Sequence, residues 1–151
     1  MMKRLAFPFI SLLLLTACTG NVIYDKYNHT AVSGWDRGEV LSFNTTKMKT
    51  TGRYHTTLGL RINDTYPFQA LTLIVEQTVY PEKHTVKDTV NCTLFDTSGR
   101  IMGQGISYYQ YHYHVSEMTL QKGDSLHVTV RHDMQRDILP GISDVGIEVS
   151  R

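Results

Sequence analysis

Cysteine is nearly absent from this chain: there are two among 151 residues, Cys18 and Cys92. A disulfide framework of the kind that staples small secreted domains is thereby excluded. Long apolar runs are missing too. The stretch Leu5 to Leu15 covers 11 residues and contains Pro8, whereas a membrane-spanning helix needs about 20. Charge of one sign is not in excess, with 15 basic against 14 acidic side chains. There is no clustered basic footprint for nucleic acid and no polybasic run to grip anionic lipid. A Gly-x-Ser-x-Gly elbow, a His-Glu-x-x-His pair and a Gly-rich phosphate loop are all lacking, so nothing supports an enzyme. Glu117 with Asp124, and Asp133 with Asp137, are carboxylate pairs of the sort that turns and strand ends supply by default. Internal repeats, low-complexity tracts and signs of a second domain are absent as well.

The N-terminus is informative. Lys3 and Arg4 precede the short apolar run, and small residues follow it, which is the plan of a signal peptide. Leu15-Thr16-Ala17-Cys18 then places a cysteine directly after a Leu-x-small triplet. This resembles the lipobox of bacterial lipoproteins, in which the thiol is alkylated by diacylglycerol and the peptide bond before it is cut. The chemistry suits a thiol, a strong nucleophile. Two or more acyl chains also anchor stably where one binds only marginally. The expected organisation is a signal peptide over 1–17, a lipidated tether over 18–23 and one domain over 24–151. Loss of Lys3 and Arg4 leaves 13 basic and 14 acidic side chains, a mature formal charge of −1. Apart from covalent lipid on Cys18, no cofactor is expected.

A two-residue period dominates the rest. "YHTTLGLRI" aligns Leu58, Leu60 and Ile62; "ALTLIVEQTV" aligns Leu71, Leu73, Val75 and Val79; "SLHVTVRH" aligns Leu126, Val128 and Val130. "EVLSFNT" and "SDVGIEVS" read the same way, and "VIYDKY" ahead of them is a candidate first strand. Alternation gives each run one face for a core and one for water. In Val86-x-Asp88-x-Val90-x-Cys92-x-Leu94 it puts Cys92 on the mostly apolar side, as a buried small hydrophobe. "NDTYP", "YPEK", "DTSG", "QKGD" and "LPG" carry the Gly, Pro, Asp and Asn that turns require. No 3.6-residue apolar period follows the leader. The expected fold is all-β, a single antiparallel β-sandwich of the jelly-roll or immunoglobulin-like kind.

"YYQYHYHV" (108–115) is the most conspicuous candidate for chemistry. His112 and His114 share a strand face and form a potential metal pair, but a zinc site needs at least one further protein ligand. His84, or the His132-Asp133 pair, is the available supplier, and nothing in the spacing brings either close. Tyr109, Tyr111 and Tyr113 lie on the other side. They are candidates for a partner contact or for a sugar platform, although tyrosine is also favoured in strands for its own sake.

"MQRDILPGISDVGIEV" (134–149) is distinctive in another way. Together with "VIYDKY", the "GW" at 34–35, "YPFQALTLIVE", "VKDTV" and "LFDTSGRIMGQGI", it resembles the gliding-motility lipoprotein GldH family of Bacteroidota, over nearly the whole mature chain. The resemblance implies a small outer-membrane lipoprotein with no catalytic residues to carry over. Its partners would be envelope proteins of the gliding and type IX secretion neighbourhood. The tyrosine-histidine stretch has no counterpart in that pattern. Surface-displayed lipoproteins of the phylum carry an acidic cluster after the lipidated cysteine, whereas Thr19 to Tyr24 are uncharged here. The resemblance therefore implies a periplasm-facing, non-catalytic assembly or scaffolding component. A glycan- or peptidoglycan-binding module using the tyrosine strand is the alternative.

Overall fold

The computed structural model describes residues 21–151; the leader, the lipobox and Cys18 lie outside the described residues. Ten strands alternate with turns: β1 (Val22–His29), β2 (Trp35–Asp36), β3 (Leu41–Asn44), β4 (Gly52–Asn63), β5 (Ala70–Tyr80), β6 (His84–Thr93), β7 (Tyr108–Leu120), β8 (Ser125–His132), β9 (Ile138–Leu139) and β10 (Ile142–Ser150). No helix among the described residues is long and apolar enough to cross a membrane. The fold is all-β, and every strand pairing is antiparallel.

Two four-stranded sheets, ordered β1-β10-β4-β7 and β3-β8-β5-β6, share one hydrophobic core. Apart from the β5–β6 hairpin, each long strand is followed in sequence by one from the other sheet, so chain crossings occur at both ends. The alternating residues build the core directly. Leu58, Leu60 and Ile62 of β4 face Leu71, Leu73 and Val75 of β5 and Leu126, Val128 and Val130 of β8, all fully buried or nearly so. Cys92 is buried among them with a free thiol, and burial pushes its pKa up to about 12.

The first strand begins at Val22, inside the segment 18–23 expected to be tether. Its start is fixed because Val22 pairs with Ser150 and Arg151 N–H donates to the Asn21 carbonyl. The two-residue pairing of β2 with β9 has no periodic signal at all. It joins Trp35 to Leu139 and Asp36 to Ile138. Trp35 is fully buried, its indole N–H donates to the Glu39 carbonyl, and the His132 ring meets it edge-on at 5.3 Å.

One polar network crosses the core. Thr56 Oγ1 of β4 donates to Gln77 Oε1 of β5 at 2.7 Å, and Gln77 Nε2 donates to Ser116 Oγ of β7 at 2.6 Å. A bulge aims the serine, since Thr56 is opposite Ser116 while Thr57 is opposite His114, leaving Val115 unpaired.

Candidate functional site

Strand β7 splits its side chains as alternation requires. Tyr109, Tyr111 and Tyr113 go to one face, and His112 and His114 to the other. The tyrosines take the inner face. Tyr111 is 5 % exposed, and Tyr109 and Tyr113 pack against the core. The Tyr111 hydroxyl donates to the Leu94 carbonyl at 2.7 Å and the Tyr113 hydroxyl to the Thr93 carbonyl at 2.9 Å. Their rings stack at 6.0 Å, within 6° of parallel. The bonds run from the edge strand of one sheet to the last residue of β6 in the other and to the residue after it, closing that side of the domain. Burial raises the pKa of both phenols above the ordinary value. An outward tyrosine platform is therefore not what the chain builds: a buried phenol must find an acceptor, and the facing sheet supplies one.

The histidines stand on the solvent face. His112 lies opposite Gly59 and His114 opposite Thr57. The His114 ring is 6.5 Å from that of His55, and His55 is 3.7 Å from Glu117, which also pairs with Arg53 at 2.7 Å. Neither proposed third ligand comes near. His132 is fully buried against Trp35 on the other sheet, its pKa lowered by burial, and His84 opens β6 beside the β5–β6 turn. Among the described residues no three His, Cys, Asp or Glu side chains are grouped to hold a metal ion. Three of the four carboxylates have other partners. Glu117 bonds Arg53 and Asp124 caps its own turn through the Gln121 N–H at 2.8 Å, while Asp137 faces Arg37 at 3.9 Å.

The two distinctive motifs acquire structural jobs. In "DTSGR", Asp96 Oδ1 accepts from the Ser98 N–H, the Ser98 hydroxyl and the Arg100 N–H, and Oδ2 accepts from Arg100 Nε at 2.9 Å. The Ser98 hydroxyl bond is the largest cause holding its pKa below the usual carboxylate value. In "LPGISDVG", Gly141 adopts φ +84°, and a Cβ there would stand 2.3 Å from the Tyr66 nitrogen. Gly146 and, across the ladder, Gly59 leave a bare strip on the outer face. The Tyr27 ring lies on it, held by Gln110 Nε2 donating to its hydroxyl at 2.7 Å and by the Arg61 guanidinium 4.2 Å from the ring centroid.

The ends of the domain differ in character. One end gathers Asn21, the 45–51 and 121–124 loops, the β5–β6 turn and Arg151. The other gathers residues 30–40, 64–69, 94–107 and 133–141. Large apolar side chains are exposed on this second end: Val32, Met102, Ile106 and Tyr108 are 107 %, 59 %, 91 % and 58 % accessible. Two clefts open there. One of about 480 Å³ lies between Phe68 and Met134 with Asp133, Gln135 and Arg136. The other, about 260 Å³, is lined by Met102, Gln104, Gln110 and His112 with the edges of Tyr111 and Tyr113.

These features define a small all-β protein with no assembled catalytic or metal constellation among its described residues and with most of its apolar exposure at one end. The model of the GldH lipoprotein family matches residues 22–149, and the chain belongs to that family. Gliding motility lipoprotein GldH of Flavobacterium johnsoniae is 26 % identical over 164 aligned positions, covering 99 % of this chain and 97 % of that protein. Among solved structures, a family GH115 4-O-methyl-α-glucuronidase aligns with a TM-score of 0.45 and 12 % identity, over 87 % of this chain and 18 % of the enzyme. A family 35 carbohydrate binding module from Clostridium thermocellum aligns with a TM-score of 0.38 and 11 % identity, over 82 % of this chain and 89 % of the module. Neither structural likeness bears on what this chain binds.

Proposed function

We propose that this chain is an outer-membrane lipoprotein, anchored by diacylglycerol on Cys18 and facing the periplasm, that serves as a non-catalytic assembly component of the cell envelope. Its domain is read as a jelly roll, since the orders β1-β10-β4-β7 and β3-β8-β5-β6 interleave eight strands as two Greek keys would. The observation that carries the functional reading is that most of the exposed apolar side chains, with Val32, Ile106, Met102 and Tyr108 the most accessible, lie at the end remote from Asn21, while Val22, Ile23 and Tyr80 are exposed at the near end. An exposed apolar patch marks a contact site, and here it faces away from the tether. Membrane confinement raises the effective concentration of anchor and partner, so a modest interface suffices. The partner is sought among the gliding and type IX secretion proteins of the envelope. Photo-crosslinking in cells tests this. A crosslinker at Ile106 or Met102 should capture one envelope protein reproducibly, and one at Lys87 in the β6 ladder should not. Capture at neither, or equal capture at both, removes the reading. Palmitate incorporation that depends on Cys18 tests the anchor separately.

A second reading is a glycan-binding module, and one observation favours it: the cleft beside Met102, Gln104, Gln110 and His112 combines amide, imidazole and aromatic edges of the kind that contact sugars. The tyrosine rings themselves are turned inward, so Tyr→Ala variants would test folding instead. Gln104→Ala with His112→Ala is the discriminating pair. Loss of peptidoglycan or polysaccharide pull-down in a folded double variant supports this reading, and no pull-down by the wild type ends it.

A further inference from the structure

The chain has no polybasic run, yet the fold assembles a basic surface from scattered loops. The end of the domain around Asn21 carries Lys47 and Lys49 on the 45–51 loop, Lys83 in the β5–β6 turn, Lys122 in the β7–β8 turn, and Arg151. Glu82 and Asp124 are the acidic side chains there, and a carboxylate at Arg151 would make a third negative group. The opposite end reverses the balance: Asp36, Glu39, Asp64, Asp96, Asp133 and Asp137 face only Arg37, Arg100 and Arg136. None of the ion pairs among the described residues uses Lys47, Lys49, Lys83, Lys122 or Arg151. A cleft of about 470 Å³ opens beside Lys47, Lys49 and Arg151, with Val22, Ile23 and Tyr54 also on its walls. Arg151 is held in place by donating to Thr50 Oγ1 at 2.9 Å, and Val22 and Ile23 are 49 % and 39 % exposed.

We propose that this end of the domain docks on a phospholipid leaflet, with Lys47, Lys49, Lys122 and Arg151 on the lipid phosphates and Val22 and Ile23 resting against the headgroup layer. The inference rests on the anchoring of Cys18. From that residue to Asn21 the chain advances three residues, and fully extended it reaches only about 11 Å. A charged surface acts over a Debye length of about 8 Å at physiological ionic strength. An acylated Cys18 thus delivers the basic end to the range at which anionic headgroups attract it. The same dipole turns the acidic, apolar-tipped loops outward, where a protein partner can reach them. Each cation added near such a surface multiplies docking about fivefold, so the lysines together favour the docked orientation strongly.

The test uses mature acylated protein carrying Thr46→Cys, labelled with an environment-sensitive fluorophore and reconstituted into phosphatidylethanolamine vesicles with or without phosphatidylglycerol. Buried Cys92 leaves the introduced thiol as the labelling site. In the phosphatidylglycerol vesicles the Thr46 probe should be shielded from aqueous iodide, while a probe at Ser98→Cys stays open. High salt should open the Thr46 probe. Lys47→Gln with Lys49→Gln and Lys122→Gln should lower the docked-to-undocked ratio roughly a hundredfold, and the three Arg replacements should preserve it. A Thr46 probe as open as the Ser98 probe, or equally shielded in vesicles lacking anionic lipid, overturns the inference. Mass spectrometry of the N-terminal peptide separates the two ideas. Absence of the acyl mass overturns the anchor and the docking with it, whereas acylated protein with an open Thr46 probe overturns the docking alone.

Discussion

Adding one methyl group at Gly146 should destabilise the domain, and removing a ring elsewhere should reverse that effect. An alanine Cβ at this position would stand 2.6 Å from Tyr27 Cε1, well inside contact distance. The ring must lift, which costs the 2.7 Å hydrogen bond from Gln110 Nε2 and the Arg61 contact at 4.2 Å. A partly buried hydrogen bond contributes about 1 kcal/mol and an exposed cation–π contact about 0.5–1 kcal/mol. Against this, replacing glycine by alanine within a strand gains about 0.5–1 kcal/mol through the unfolded chain. Gly146→Ala should therefore cost roughly 1 kcal/mol net once the lost burial beneath the ring is added. With Tyr27→Ala already in place, the clash and both contacts are gone, and the same change should stabilise by about 0.5 kcal/mol. Urea denaturation of the four proteins in the cycle gives the coupling directly, expected at about 1.5–2 kcal/mol. An equal cost of Gly146→Ala in both backgrounds would refute the idea that the glycine strip exists to seat the ring.

Gln77→Leu should cost about 2–3 kcal/mol in denaturant midpoints, because it leaves the Thr56 and Ser116 hydroxyls without their shared partner inside the core; a change below 0.5 kcal/mol would mean water replaces the amide. Cys92 should resist maleimide in the folded protein and react fully in urea, since its thiol is buried with a pKa near 12; prompt labelling without denaturant would contradict this. His132 is held neutral by burial, so its folded pKa lies below the unfolded value of 6.5. Protons then bind the unfolded chain preferentially, and stability should fall as pH drops below about 6.5. His132→Gln should flatten that part of the profile of urea midpoint against pH, and an unchanged slope would assign the titration elsewhere. Tyr111→Phe should cost only about 1 kcal/mol, since it deletes one hydroxyl bond while the Leu94 carbonyl keeps the Met102 N–H.

Most of the long strands were legible because they carry their own apolar alternation, and a period of two needs no knowledge of partners; β1, whose residues bury no alternating face, was legible only as a candidate. Cys92 was legible for the same reason. The pairing of Trp35 with Leu139 was not, since a two-residue ladder has no period and its partners are a hundred residues apart. Alternation also separated Tyr109, Tyr111 and Tyr113 from His112 and His114 correctly, but it cannot say which side meets the core. Tyrosine satisfies either environment. The choice is made by the carbonyls of Thr93 and Leu94, at and just past the end of β6 in the other sheet, which leave no mark in the spacing of β7. The basic end was invisible for a related reason: Lys47 and Lys49 are far in number from Lys83, Lys122 and Arg151, and they share an end only where strands terminate.

Strand β1 sits at the rim of its sheet, and its backbone ladder runs to β10 alone, through seven paired positions. The anchor, if present, pulls on its Asn21 end, and any partner held at the remote loops pulls the opposite way. Ladder bonds run perpendicular to the strands, so tension between membrane and partner is directed along β1 and strains all of its rungs together instead of unzipping them one by one. A chain arranged in this way can transmit a tug between two bodies without first giving up its outermost strand.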